Sequence, residues 1–391
     1  MRKSANSQVT TFEWPVIMKG VGVAVLVAVF ALSVVVLPMA SASSWENVRG
    51  PIATVFASTN NATANQIVAY ERSSTGSLSW AGNYSTGGEG TGSALADSGA
   101  LALSPNHHWL LAVDAGSNQV SVFRINSGFS GQLLTLTDVV SSGGVLPVSV
   151  TLSSKEVYVL NDGNSTTAGN IAGFHLGGNG QLYPIAGATQ DLSMSGATGA
   201  AQISFSPAGN FLVVTEKSTN LIDVYAVNRA GVASGPASYP SSGLTPYGFA
   251  FAGSTHVVVS EAHQPAVSSY SLTRSGGLQL VSASISDLQG APCWVAVSGN
   301  GQIAFISNTA SDSISTFAVG AGGSLSLLQS VAATTDAGPA YSALSGSGQF
   351  LYVYAGGVGE IQGFQTQPDG ALTWIQTVGG LPIGSEGLVA T

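Results

Sequence analysis

The feature that most constrains this chain is a recurrence. A turn signature at Leu103-Ser104-Pro105 returns at Leu152-Ser153-Ser154, Phe205-Ser206-Pro207, Phe251-Ala252-Gly253, Val297-Ser298-Gly299 and Leu344-Ser345-Gly346, at spacings of 49, 53, 46, 46 and 47 residues. Each signature precedes an apolar run, over 109–113, 157–160, 211–215, 256–260, 303–307 and 350–354. A polar turn follows, then a strand closing on an aromatic, as at Val122-Phe123, Val224-Tyr225 and Thr316-Phe317. A Gly-Leu-like step, as at Gly180-Gln181-Leu182 and Gly277-Leu278, opens a fourth run. Residues 200–227 are the clearest copy: an alternating strand, a Pro207-Ala208-Gly209 turn, a wholly apolar strand, a polar turn and a third strand. Alternation suits a half-buried strand and a short continuous apolar run suits one covered on both faces. Four strands in about 46 residues is the period of a propeller blade.

The two ends of the chain settle the count. Residues 54–57, 66–70 and 78–84 read as second, third and fourth strands lacking a first, whereas Gly387-Leu388-Val389-Ala390 is a first strand lacking the others. The C-terminal strand therefore completes the N-terminal blade, which removes the open edges of the array. The expected fold is all-β, a seven-bladed β-propeller of four-stranded blades over 53–391. A β-helix is the alternative, but its coils are much shorter than this repeat.

Composition fits such a fold. Charged residues are 7% of the chain and 50 of 391 residues are Gly, as expected where every strand end needs a turn and middle strands are buried on both faces. At the N-terminus Arg2, Lys3 and Lys19 precede an uncharged run over 20–37 and the small residues Ala40-Ser41-Ala42. That order is a secretory signal over 1–42, followed by a linker over 43–52; the 18-residue run is also near the length of an uncleaved anchor. Either alternative puts the bulk of the chain outside the cell membrane, secreted or held at the envelope. Without 1–42, seven basic residues face eighteen acidic ones, a net of −11. No basic cluster remains, so nucleic acid and anionic membrane are poor partners, and any membrane association runs through the N-terminal segment. Cys293 alone gives no disulfide framework. Asn61-Ala62-Thr63, Asn83-Tyr84-Ser85 and Asn164-Ser165-Thr166 are glycosylation acceptor patterns. A monomer without a cofactor is expected, with a small molecule or glycan as ligand.

Strand direction alternates within a blade, so the turns after the second strands share a face with the lead-ins to the first strands. The turns bring Asn60, Asp114, Asn161, Glu216, Glu261 and Asn308; the lead-ins bring Val148, Gln202, Tyr247, Cys293, Trp294 and Tyr341, mostly just after a proline. One mouth of the channel should thus collect polar and aromatic side chains. Glu216 and Glu261 are the candidate acid/base residues, because carboxylates are scarce and these two stand at equivalent places in adjacent blades. Gln202, Tyr247, Trp294, Asn161, Asn308 and Asp114 are candidate ligand contacts. Each polar residue at a strand end is equally explained as turn chemistry. The five histidines have no ligand spacing, so no zinc site is expected. Cys293 has no neighbouring cation in sequence and reads as packing against Trp294.

The blade starts together with VVTEKSTNLIDVY at 213–225, VVVSEAHQPAVSSYSL at 257–272, APCWVAV at 291–297 and GGLPIGSEGLVA at 379–390 resemble the seven-bladed propeller lactonases, which include 6-phosphogluconolactonase and 3-carboxymuconate cyclase. The resemblance covers roughly 53–391 and is similar to a secreted branch of that family. It implies action on a lactone or cyclic carboxylate, with Glu216 at the position of the family's glutamate. The family's Pro-Arg-His lead-in reads Ala201-Gln202 here, and glutamine transfers no proton. The alternative is a non-catalytic extracellular propeller that binds a small ligand, glycan or protein.

Overall fold

The structure, a computed structural model, describes residues 53–126, 132–196 and 198–391. The expected signal or anchor over 1–42 and the linker over 43–52 lie outside the described residues. Seven antiparallel sheets follow one another along the chain, and their first strands abut in a closed ring. The chain is a seven-bladed propeller.

Blade 1 is the seam: Glu386–Ala390 pairs with Thr54–Ser58, followed by Gln66–Arg72 and Leu78–Ser85. Blades 2 to 7 begin with the first strands Leu101–Leu103, Pro147–Leu152, Ala200–Phe205, Pro246–Ala252, Pro292–Val297 and Pro339–Leu344. Their second strands are Trp109–Asp114, Glu156–Asn161, Phe211–Glu216, His256–Glu261, Ile303–Asn308 and Phe350–Ala355. The 53-residue spacing has a local reason. The outer strand of blade 3 is split into Leu182–Pro184 and Gln190–Asp191, both pairing with Asn170–Leu176.

Each second strand lies between two others and between two neighbouring blades, which is why it is apolar on both sides. Leu212, Val213 and Val214 are fully buried in blade 4, as are Val257, Val258 and Val259 in blade 5. Each such side chain contributes about 1.5–3 kcal/mol by leaving water. The buried tyrosines of these strands also tie blades together. Tyr158 donates to Gly231 O (2.6 Å) and accepts from Ala233 N (2.8 Å), and Tyr352 donates to Gly76 O (2.7 Å). A ring buried on a sheet face thus finds a partner for its hydroxyl in the turn of the next blade.

The sequence reading places Asp114, Asn161, Glu216, Glu261 and Asn308 in turns. All five are instead the last residues of their second strands and fully buried, paired with Gln119, Asn170, Leu221, Ala266 and Ser313. The turn starts one residue later, because these side chains have partners inside the blade.

Candidate active site at the channel mouth

The strand-end residues find partners in the loop that leads into their own blade and in the strands and turns beside them. Asp114 accepts from Thr86 Oγ1 (2.7 Å), Asn65 Nδ2 (2.9 Å) and Ser121 Oγ. Glu216 accepts from Ser193 N (3.0 Å), Ser193 Oγ and Thr219 Oγ1 (2.7 Å). Glu261 accepts from Gly243 N (2.7 Å), Ser284 Oγ (2.7 Å) and Ser268 Oγ. Asn161 Nδ2 donates to Ser142 O (3.3 Å), and Asn308 Nδ2 donates to Ser315 Oγ (3.0 Å). The lead-in presses so close that only glycine fits in three blades: a Cβ on Gly88, Gly144 or Gly243 would meet Asp114, Asn161 or Glu261 at 2.5, 2.5 and 2.2 Å. These residues brace the ring, and Glu216 and Glu261 share no hydrogen-bond partner.

Gln202 is occupied as well. Its amide donates to Phe249 O (2.9 Å) and accepts from Phe249 N (2.8 Å), clamping the first strand of blade 4 to that of blade 5. Tyr247, Trp294 and Tyr341 do converge, as expected of three successive lead-ins. Their rings meet edge-on or tilted, with centroids 5.3 Å apart at both contacts. All three are buried, so they offer packing and donors rather than an open stacking face.

What the aromatics surround is a carboxyl pair. Asp97 and Glu386 are 0% and 2% exposed. The Tyr341 hydroxyl reaches Asp97 Oδ1 and lies 3.0 Å from Glu386 Oε2. Leu95 N donates to Glu386 Oε1, while Asp97 Oδ2 has no hydrogen-bond donor. Burial raises the pKa of Asp97 to about 6, and burial together with the adjacent Asp97 charge holds Glu386 well above the carboxylate range. Two like charges cannot both persist here, so the pair keeps one proton on Glu386 and offers it to Asp97.

Lys217 supplies the nearby positive charge. Its Nζ donates to Ala96 O and Ala200 O (3.3 Å) and lies 5.1 Å from the Tyr247 ring centroid. Burial lowers its pKa, against the pull of Asp97, Asp162, Cys293 and Glu386. The loop from Thr86 to Ala100 crosses this region. It is held by Trp294 Nε1 to Asp97 O (2.9 Å), Ser98 N to Ala201 O (2.9 Å) and Asn60 Nδ2 to Ser93 O (2.9 Å). Cys293 is buried beside it, its thiol pushed up to about 11 by that burial, so it is a neutral packing group.

Asp97 and Glu386 are lead-in residues of blades 2 and 1. The sequence reading takes lead-ins only from blades 3 to 7, where prolines mark most of them. It therefore omits the two that carry acids. Asp97 stands four residues before Leu101 and Glu386 two before Leu388, so no single offset counted from the other blades points to both. On the opposite face a cleft of about 560 Å³ is lined by Arg72, His107, His108, Asn126, Ser347 and Thr391, among others. Its arginine stitches the seam, donating to Thr391 O (3.4 Å) with the guanidinium 5.3 Å over Phe350. Among the described residues no group of three or more His, Cys, Asp or Glu is placed to hold a metal ion.

The family model "Lactonase, 7-bladed beta-propeller" matches residues 168–296 and 286–384, more than half of the chain. The chain is similar to a candidate 6-phosphogluconolactonase of Bacteroides fragilis (16% identity, 88% of this chain and 99% of that one, TM-score 0.71). It is also similar to the periplasmic gluconolactonase of Pseudomonas aeruginosa (17%, 86% and 98%, 0.67) and to a Lactobacillus plantarum protein (17%, 87% and 99%, 0.71). At these identities the likeness is one of fold. No curated protein sequence matches the chain.

Proposed function

Because the chain belongs to the seven-bladed β-propeller lactonase family, we propose that it opens a small lactone at the channel mouth, with Asp97 and Glu386 moving the proton. The observation that carries this reading is the pair itself: two buried carboxyls bridged by one tyrosine, their proton affinities pushed apart, beside a lysine. Such a split assigns a base and an acid. In the proposed step Asp97 takes a proton from water as the water oxygen bonds to the lactone carbonyl carbon. The ring C–O bond breaks as Glu386 gives its proton to the leaving alkoxide. The proton on Asp97 then returns to Glu386 across their contact. The Lys217 ammonium faces the developing oxyanion and the product carboxylate.

Access requires residues 92–96 to lift. Asp97 O stays on Trp294 and Ser98 N on Ala201 O, and the breaks fall at Gly92–Asn60, Ser93–Asn60, Leu95 N–Glu386 and Lys217–Ala96. The order of residues 1–42 supports action outside the cytoplasm. Enclosure of both acids under this loop favours a second reading, a propeller that binds a small ligand, glycan or protein without turnover. Turnover on a panel of five- and six-membered lactones and a carboxymuconate, measured for the parent and for Asp97→Asn, decides between them. Hydrolysis lost in the variant supports the first reading; no hydrolysis by the parent leaves the second.

A further inference from the structure

The strand-end brace has a second half, seven residues further on. In register, the third-strand residue opposite the position two before the brace lies diagonally across from it on the same face. That residue is Ser121 beside Asp114, Ser268 beside Glu261 and Ser315 beside Asn308. Each serine hydroxyl is hydrogen-bonded to the brace. Blade 4 breaks the pattern. Its brace is Glu216, and the diagonal residue, opposite Val214, is Asp223.

An acid thus stands where blades 2 and 5, the other two with an acidic brace, place a donor hydroxyl, whereas blade 3 has Ala172 at this position. Asp223 and Glu216 are both 0% exposed, and among the described residues no donor meets either Asp223 oxygen at hydrogen-bonding geometry. Glu216, by contrast, accepts three hydrogen bonds, one at Oε1 from Ser193 and two at Oε2 from Ser193 and Thr219, which leaves one acceptor direction of Oε1 free. Nothing cationic closes on the pair from the elements around it. Asp162 and Asp191 are acidic, Tyr225 spends its hydroxyl on Asp191 O (2.9 Å), and Lys217 points away to Ala96 O and Ala200 O.

We propose that Asp223 holds a buried proton and donates it in a hydrogen bond to Glu216, and that this makes blade 4 a pH-sensitive latch. Protonated Asp223 does what Ser121 and Ser268 do, donating to the brace, and its lack of donors is then no defect. Loss of the proton leaves two adjacent carboxylates in a sealed blade, the arrangement that proteins avoid. Burial and the neighbouring Glu216 raise Asp223 to about 7, with the nearby Ser238 hydroxyl and Ser193 N–H offsetting only part of that cost. The released strain falls on Ser193, which Glu216 holds, and on Lys217, the next residue along and the tether of the mouth loop. Mildly acidic conditions therefore keep the latch shut, and alkaline conditions loosen it.

The test is Asp223→Ser, which places there the hydroxyl of blades 2 and 5 and leaves Asp97 and Glu386 intact. The folded parent should lose thermal stability as pH rises from 5.5 to 8.5, and the variant should show a flatter dependence. At pH 8.5 the variant should melt higher, by roughly 2 °C or more. One protonated-carboxyl C=O stretch in the infrared spectrum at pH 6 should disappear in the variant. Asp223→Asn, which also donates, should behave like serine and serves if the serine variant fails to fold. An unchanged pH slope with the carboxyl band retained overturns the proposal. So does a calcium-dependent rise in the parent's melting temperature that the variant lacks, since a cation would then hold the pair.

Discussion

The hydroxyl of Tyr341 reaches the carboxylate of Asp97 across 244 residues of sequence, and 3.0 Å away on its other side lies Glu386 Oε2. The three come from the lead-ins of blades 7, 2 and 1, so the pair is assembled only when the ring closes. The C-terminal strand that carries Glu386 is the one that closes it.

If that pair moves the proton, removing either carboxyl should remove turnover while leaving the fold. Asp97→Asn and Glu386→Gln keep shape and hydrogen-bonding capacity, so kcat should fall by about 10²–10⁴ with KM little changed. Tyr341→Phe should cost less, since it orients the pair without itself exchanging the proton. Steady-state kinetics on the best lactone of the panel, with circular dichroism as the check on folding, measures all three.

The pH profile should carry the same signature. Asp97 must be ionised, so kcat/KM should rise through about pH 6 and fall again where Glu386 loses its proton, a bell whose limbs belong to the pair. Stability should run the other way. Both groups are raised, so the folded state binds protons more tightly than the unfolded chain. Their contribution is full below the ordinary carboxylate range and is lost as pH rises through the folded values. Between about pH 4 and 6, urea midpoints of the parent should therefore fall more steeply than those of Asp97→Asn.

The glutamates that stand out in the sequence should behave differently. Glu261 accepts from Gly243 N, Ser268 Oγ and Ser284 Oγ with no exposure to solvent. Glu261→Gln places an amide donor against those donors and should cost about 2–3 kcal/mol. Turnover per folded molecule should be unchanged. Chemical denaturation with active-site-normalised kinetics separates the two effects.

How much could be read beforehand follows from these residues. The blade period and the seam were legible, because Phe211 to Thr215 and its copies are apolar for a reason every blade shares. The convergence of Tyr247, Trp294 and Tyr341 was legible too, because Pro246, Pro292 and Pro339 mark the lead-ins. Asp97 and Glu386 have no such proline, and they lie at opposite ends of the chain. The bracing role of Glu216 and Glu261 was hidden because their donors are ordinary serines and backbone amides. One signal was present: Thr86-Gly87-Gly88, Ser142-Gly143-Gly144 and Ser241-Ser242-Gly243 repeat a hydroxyl and a glycine just where each brace is met.

Cys293 tests the packing at the mouth independently of any substrate. Its thiol is buried and raised to about 11 by that burial, so almost no thiolate exists at neutral pH. Alkylation by iodoacetamide at pH 8 should be slower in the native protein than in urea by at least about a hundredfold, an estimate that follows from the raised pKa. Native reactivity equal to that of a free thiol would contradict the enclosed geometry.

The loop over the acids gives the last prediction. Asn60 Nδ2 donates to Thr91 Oγ1 (3.1 Å), Ser93 O (2.9 Å) and Gly384 O (3.1 Å), and its Oδ1 accepts from Thr91 N (2.8 Å). One side chain therefore fixes the loop to the strand lead-in that carries Glu386. Each such bond is worth about 1 kcal/mol net, so Asn60→Ala should raise the opening of residues 92–96 by about tenfold or more. The Leu95 amide is the reporter, because it donates to Glu386 in the closed form and is released when the segment lifts. Its hydrogen exchange should speed up in Asn60→Ala, while amides of Leu212 and Val258 in the blade interiors keep their protection. Equal acceleration at all three positions would mean that Asn60 stabilises the whole ring rather than the loop.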